Sequence, residues 1–187
     1  MLGGSREYVQ RLSQDFAEGI RLGVGVKSIS RKNGRVVITD AAGNTDIFTD
    51  MVIGTHSDQA IGMLTDADHE GREVLGAFRS TDNEAVLHSD ENLMPKRKRV
   101  WSSWNYIGES RVEDAQTLCV TYWMNRLQNL DMRHPLFVSL NPTREVAPSK
   151  LIGRYTYTHP LFDQRALDAQ QQLWRLQGRR NTWFCGA

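Results

Sequence analysis

Hydrophobic positions along the 187-residue chain change their period several times, and each change marks an element. From Ser5 onward Tyr8, Val9, Leu12 and Phe16 recur at helical spacing until Gly19, which predicts a helix capped by Ser5. Residues 24–29 then alternate. Asn33-Gly34 carries the signature of a type I′ turn, and Val36-Val37-Ile38 runs back antiparallel. A further turn at Ala42-Gly43-Asn44 leads into Ile47-Phe48, completing a β-meander. Met51-Val52-Ile53-Gly54 is apolar without alternation and predicts a strand buried on both faces.

After Thr55 the pattern becomes helical. Ser57 or Asp58 caps a short helix through Ile61 and Leu64, and Asp66 or Asp68 opens another that reaches Leu75 and Phe78. Strands are expected at 85–88, 100–107, 117–124, 136–140 and 151–158, separated by polar or turn-rich segments. Asp163 caps a last helix, with Phe162 and Leu167 at the two positions of a hydrophobic staple and Gly178 at its C-terminal stop. Leu167, Leu173, Trp174 and Leu176 form its apolar side. Residues 182–187 end the chain on a short apolar strand.

These elements predict an α+β fold: a mixed or antiparallel sheet packed with helices, plus the β-meander and isolated strands. A strand buried on both faces belongs in a sheet covered by helices on either side, and the sequence lacks the βαβ units to build one. The chain is therefore expected to be an incomplete piece of a larger soluble protein, ending inside the strand Thr182-Trp183-Phe184-Cys185-Gly186-Ala187.

Composition narrows the function classes. With 23 basic and 22 acidic residues the net charge is +1, so no overall field draws the chain to nucleic acid or an anionic membrane. Cys119 and Cys185 are far apart and suggest neither a disulfide framework nor a zinc ribbon. No apolar run approaches the ~20 residues of a membrane span. The N-terminus carries no signal-peptide pattern, and a cytoplasmic location is expected.

Candidate chemistry is sparse. Gly23-Val-Gly25 lacks a third glycine and opens a hairpin rather than a helix, so it does not make a dinucleotide fingerprint. His56, His69, His88, His134 and His159 show no metal-ligand spacing, and no metal site is expected. A Gly-x-Ser-x-Gly elbow is absent. Residues 96–99, Lys-Arg-Lys-Arg, followed by Trp101 and Trp104, are read as a solvated loop with both tryptophans in a core, or as a local anion site; nucleic-acid binding is the weaker alternative. Trp104, Tyr106, Tyr122, Tyr155 and Tyr157 are candidate walls of a small-molecule pocket, because residues two apart on a strand share a face.

Several stretches together resemble the flavin-containing amine oxidoreductases, and more narrowly a bacterial branch of predicted NAD/FAD-binding proteins. The carrying residues are Gly3-Gly4-Ser5, Val24-Gly25-Val26-Lys27-Ser28-Ile29, Val36-Val37-Ile38-Thr39 and Asp50-Met51-Val52-Ile53-Gly54-Thr55-His56. Downstream they are Met94-Pro95, Trp101-Ser102-Ser103-Trp104-Asn105-Tyr106, Val120-Thr121-Tyr122-Trp123-Met124-Asn125, Leu127-Gln128, Ser139-Leu140-Asn141-Pro142, His159-Pro160-Leu161-Phe162-Asp163 and Phe184-Cys185-Gly186-Ala187.

The resemblance implies an FAD-dependent oxidoreductase in which a hydride passes from substrate to flavin. It assigns residues 1–56 to a partial FAD-binding domain, 57–178 to a substrate-binding domain, and 179–187 to a strand returning to the FAD-binding domain. Val26, Thr55, Cys185 and Gly186 would touch FAD, and the sheet aromatics would touch an apolar or amine substrate. The glycine fingerprint and a C-terminal flavin segment are missing, so the chain by itself is expected to retain FAD poorly, to be inactive, and to need the remainder of its own chain as partner. Catalytic residues are not assigned. The alternative is a stand-alone ligand-binding module with an aromatic-lined pocket.

Overall fold

The computed structural model describes residues 4–109 and 117–186. Gly3 and Ala187, both used in the resemblance, lie outside the described residues. The fold is α+β, and the chain forms two compact units: Met1–Glu18 with Asp82–Tyr157, and Gly19–Thr81 with Thr158–Ala187. The sequence boundaries at 56/57 and 178/179 both fall inside the second unit.

Helix α1 (Ser5–Ser13) begins the first unit. Its N-cap is Gly4 rather than Ser5, and a 3-10 turn, Gln14–Gly19, kinks at Phe16. None of its residues is buried. The periodic set Tyr8, Val9, Leu12 and Phe16 is instead exposed.

The second unit opens with the meander β1 (Val26–Lys32), β2 (Arg35–Asp40) and β3 (Thr45–Phe48). Asn33 and Gly34 both have positive φ, 52° and 68°, as a type I′ turn requires, and Lys32 pairs directly with Arg35. The carboxylate of Asp40 closes the next turn by accepting from the backbone and side-chain amides of Asn44 at 2.8 and 2.9 Å.

Strand β4 (Met51–Ile53) corrects the expectation of two-sided burial. Met51 and Ile53 are buried, while Val52 is 63% exposed, so the run alternates after all. Helices α2 (Ser57–Met63) and α3 (His69–Leu75) follow. His56 occupies the N-cap position of α2, and neither Ser57 nor Asp58 does; Asp68 caps α3 by accepting from the Gly71 amide at 2.9 Å.

The first unit's sheet contains β5 (Arg79–His88), β6 (Trp104–Glu109), β7 (Thr117–Trp123), β8 (Phe137–Leu140) and β9 (Leu151–Leu161), in the order β6-β7-β8-β5-β9. The β6–β7, β7–β8 and β8–β5 ladders are antiparallel. Between β7 and β8 lies the short α4 (Met124–Gln128), whose buried Asn125 accepts from the Leu136 amide and donates to the Asp131 and His134 carbonyls.

Helix α5 (Gln164–Gln170) is capped by Asp163, as expected, but ends a turn and a half early and continues as the 3-10 segment Leu173–Leu176. Its buried side is Ala166 and Ala169, joined by Leu176. Phe162, Leu167 and Trp174 face solvent, so the staple is not buried. Gly178 does take the left-handed conformation, φ 76°. The last strand is β10 (Thr182–Phe184), which pairs parallel with β4: Thr182 with Met51, Trp183 with Val52, Phe184 with Ile53. The two strands that looked unpartnered in the sequence pair with each other.

The second unit's core is Ile29, Val36, Met51, Ile53, Ala60, Leu64, Val74, Leu75, Ala169 and Leu176 with their neighbours. Arg and Asp side chains bind its elements at the edge of this core. Asp66 accepts from Arg31 Nε at 3.1 Å and Arg180 Nη1 at 3.0 Å, and Arg179 bridges to Asp68 and Glu70. The Arg31 side chain is only 9% exposed. Asp66→Asn leaves this nearly desolvated guanidinium without its countercharge and is expected to lower unfolding free energy by about 2 kcal/mol. A urea denaturation series on both proteins measures it.

Candidate functional site

The parallel pairing of β4 and β10 makes both strands end at the same place. Beyond β4 comes Gly54-Thr55, and beyond β10 comes Cys185-Gly186. The Cys185 amide donates to the Ile53 carbonyl at 3.0 Å, extending the ladder by one bond. Gly186 lies so close to Thr55 that a Cβ there would collide with the Thr55 carbonyl. A Cβ at Gly54 would lie 3.7 Å from the Cys185 sulfur. Three of the four sequence-predicted cofactor residues, Thr55, Cys185 and Gly186, are thus brought together. Val26 is not among them: it sits at the exposed start of β1.

These strand ends open onto a cleft with roughly 780 Å3 of free space, part of it open to solvent. Ala60, Leu75, Phe78, Leu173 and Phe184 supply apolar wall, and Thr55, Ser57, Gln170 and Gln177 supply polar tips. The C-terminal ends of parallel strands are where open α/β sheets place their ligands, because adjacent connections diverge there and leave a crevice. Gln177 also secures the other side of β10. Its side-chain amide donates to the Phe184 carbonyl at 3.0 Å and accepts from the Phe184 N–H at 2.9 Å, standing in for a neighbouring strand.

The five candidate substrate residues fall into two groups. Trp104 and Tyr122 are directly opposite across β6 and β7, with ring centroids 6.0 Å apart at 75°. Tyr106 lies two residues along on the same face. Tyr155 and Tyr157 stack at 6.4 Å on β9, the opposite edge of the five-stranded sheet. The register continues the Trp104 row through Tyr122 and Val138 to Leu87, and the Tyr106 row through Val120 and Leu140 to Ala85. These two rows are apolar apart from the tyrosine hydroxyls, with Trp104 55% and Tyr106 62% exposed. The expectation that Trp104 points into a core is therefore corrected. Trp101 is the core residue: it is buried against Trp123 and Phe137 and donates from Nε1 to the Pro95 carbonyl at 2.7 Å.

The opposite face of this sheet carries a buried polar row absent from the sequence reading. His88, Thr121 and Ser139 are all fully buried. His88 Nδ1 accepts from the Asp90 amide at 3.0 Å, which places the ring proton on Nε2, and Nε2 donates to Ser139 Oγ at 2.9 Å. Ser139 Oγ then lies 2.7 Å from Thr121 Oγ1, which donates to the Leu93 carbonyl. A histidine in this tautomer cannot take a proton from Ser139, so the pair is not a nucleophile and its base. The signal available in the sequence was alternation: Thr121 and Ser139 fall at core-facing places on β7 and β8, and a polar residue there has to find a partner across the ladder.

Burial holds the His88 pKa below its ordinary value, an effect that the nearby Asp90 charge only partly offsets. Asp90 itself is pushed up by burial, but the Ala147 and Asn92 amides and the Lys150 ammonium outweigh this and keep it ionised. Among the described residues no cluster of His, Cys, Asp or Glu could hold a metal ion, and no helix is long and apolar enough to cross a membrane.

No family model and no curated protein sequence matches the chain. Solved structures similar to it include the following two. One is a CLA-producing fatty acid isomerase from P. acnes, at 16% identity and TM-score 0.57, over 88% of this chain and 42% of that one. The other is reduced UDP-galactopyranose mutase, at 10% identity and TM-score 0.59, over 93% of this chain and 44% of that one. What is shared is the fold. The chain spans less than half the length of each of these two proteins.

Because native His88 stays neutral while the unfolded chain takes up a proton near the ordinary value of 6.5, the unfolded state binds more protons below that pH. Stability should therefore fall as pH drops below about 6.5. Carboxylates such as Asp68, held low by the Gly71 amide, add their loss only below the ordinary 3.8. Thermal midpoints between pH 8 and pH 5 test this, and His88→Gln should flatten the curve. Ser139→Ala leaves the buried His88 N–H without an acceptor, at a cost of about 1–3 kcal/mol.

Proposed function

We propose that the chain is the substrate-binding portion of an FAD-dependent oxidoreductase and that the cleft at the ends of β4 and β10 receives part of the flavin. The observation that carries this is the meeting of the two strand ends, where Thr55 and Gly186 line the cleft, Cys185 continues the ladder beside them, and Gly186 has no room for a side chain. Support also comes from the shared fold, which is a flavoprotein fold. One of the neighbours named above was solved in a reduced form.

The residues present fit a part of the cofactor. The cleft pairs apolar walls with hydroxyl and amide tips, the combination that a planar ring with a heteroatom edge requires. They do not fit all of it. A diphosphate is held by a glycine-rich turn entering a helix N-terminus, and no Gly-x-Gly-x-x-Gly occurs in the sequence. The diphosphate end is therefore assigned to other parts of a longer protein, and this chain alone is inactive. When bound, FAD would supply hydride acceptance; the chain's own residues bind, orient and exclude water.

The substrate wall is the half-exposed face of Trp104, Tyr106 and Tyr122. Its apolar rows favour a nonpolar substrate, in keeping with the neighbour that acts on a fatty acid. An amine oxidase-like reaction remains within the proposal, since the flavin and not the wall sets the redox step. No residue of the cleft is assigned a proton-transfer role.

Flavin absorption and amide-resolved NMR test this. The purified chain should be colourless, yet FAD at about millimolar concentration should shift amides at 54–57 and 184–186 saturably. A stoichiometric flavin spectrum would overturn the claim that the chain holds only part of the site. Unmoved amides at both strand ends would overturn the flavin assignment itself.

A further inference from the structure

The basic run Lys96-Arg97-Lys98-Arg99, in the first unit, serves none of the roles above. From Asn92 to Gly108 the sequence holds no carboxylate to offset it. Lys98 pairs with Glu91 at 2.7 Å and lies over the Trp101 ring. Lys96, Arg97 and Arg99 are exposed and make no ion pair among the described residues. Arg126 adds a fifth cation: it is exposed, and its Nη1 donates to the Trp101 carbonyl at 3.1 Å. In a chain of net charge +1 this is a local concentration of one sign.

The segment that carries the run is a closed turn. Met94 and Trp101 anchor its two ends in a core shared with Phe137. Trp101 Nε1 donates to the Pro95 carbonyl at 2.7 Å. The Val100 and Trp101 amides donate to the Arg97 and Lys98 carbonyls at 3.0 and 3.1 Å. The backbone is thus ordered before any partner arrives, which lowers the entropy cost of binding. Like charges held this close repel one another, so the cluster gains from a partner of opposite sign. Among them Val100 is held out to solvent, 59% exposed, beside the buried Trp101.

We propose that this turn docks the protein on an anionic lipid surface, with Lys96, Arg97, Arg99 and Arg126 on the head groups and Val100 at the acyl boundary. Charge complementarity sets the partner's sign, since an anionic leaflet attracts a polybasic segment about fivefold more tightly for each cation near the surface. Val100 decides between lipid and a nucleic-acid strand. The phosphates of a strand would satisfy the cations and offer nothing to an aliphatic side chain, whereas a membrane interface takes both. One short turn gives reversible attachment, not insertion. The inference does not depend on the flavin proposal.

The test sediments the full chain with vesicles of phosphatidylcholine alone and of phosphatidylcholine containing about 30% phosphatidylserine. At low salt the anionic vesicles should bind it at least about tenfold more tightly, and about 0.5 M salt should remove the difference. Arg97→Glu combined with Arg99→Glu should weaken that binding at least about tenfold, and Lys96→Glu alone about fivefold. Val100→Ser, which changes no charge, should weaken it about threefold. Equal partitioning onto both kinds of vesicle, or an affinity indifferent to the charge variants or to Val100→Ser, would overturn the proposal. So would a single-stranded oligonucleotide bound more tightly than the anionic vesicles.

Discussion

The second unit depends on one pairing, the parallel ladder of β4 with β10. It joins residues 51–53 to residues 182–184, and the segment Asp82–Tyr157 of the first unit lies between them in sequence. Closing so long a loop costs configurational entropy that three residue pairs cannot repay alone. Side chains supply the rest. Asn181 donates to the Thr49 carbonyl just before β4, Arg180 and Arg179 reach Asp66, Asp68 and Glu70, and Gln177 closes the outer edge of β10. Arg180 and Asn181 hold positive φ, 50° and 58°, conformations disfavoured for residues with a Cβ. These interactions offset the strain and aim β10 along β4.

The first unit obtains its definition differently. Its sheet has one face of buried polar and apolar residues interleaved and one face of apolar residues left partly open. A one-residue slip in any ladder would exchange those faces. It would bury Trp104 and Tyr106 where Asn105 and Ile107 now lie, and it would strand His88, Thr121 and Ser139 without partners. Because unpaired buried polar groups are so costly, the row Asn105–Thr121–Ser139 pins the register more firmly than apolar packing could. No buried side-chain polar atom among the described residues lacks a partner.

Part of the local chemistry was legible in the sequence, although the caps of α1 and α2 were not: Gly4 and His56 hold those places. Asn33-Gly34 set its turn and Asp163 capped its helix, while Asp68 was one of two candidates for α3. Strands β7, β8 and β9 began within a residue of their expected starts, whereas β5 begins six residues before its own and β6 four residues after. What depends on distant partners was not legible. The run at 51–54 looked buried on both faces because Val52 is apolar, yet its exposure follows from what lies across the ladder. Helix α5 was read too long because Trp174 and Leu167 fit the period, while the face that packs is Ala166 and Ala169. At the candidate site Thr55, Cys185 and Gly186 came from a resemblance, and only the parallel register brings them into one place. His88 was noted as a histidine without metal spacing; its role in the polar row needed the β5–β8 pairing.

The same long-range ladder would couple any ligand in the cleft to the folding of the second unit. The cleft is walled by residues 55–60 and 75–80 on one stretch of chain and by 160–186 on another, so it exists only while β10 is docked on β4. A ligand that binds the docked state and not the undocked one stabilises the pairing by RT ln(1 + [L]/Kd). The reverse also holds: whatever weakens β10 docking lowers apparent affinity by the fraction of molecules with the cleft assembled. Gln177 sits at the junction of the two effects, since its amide both satisfies Phe184 and lines the cleft. A polar group that completes a strand edge and faces a ligand ties the stability of that edge to occupancy. In this fold, a ligand in the cleft would draw on the same contacts that hold the last strand in place.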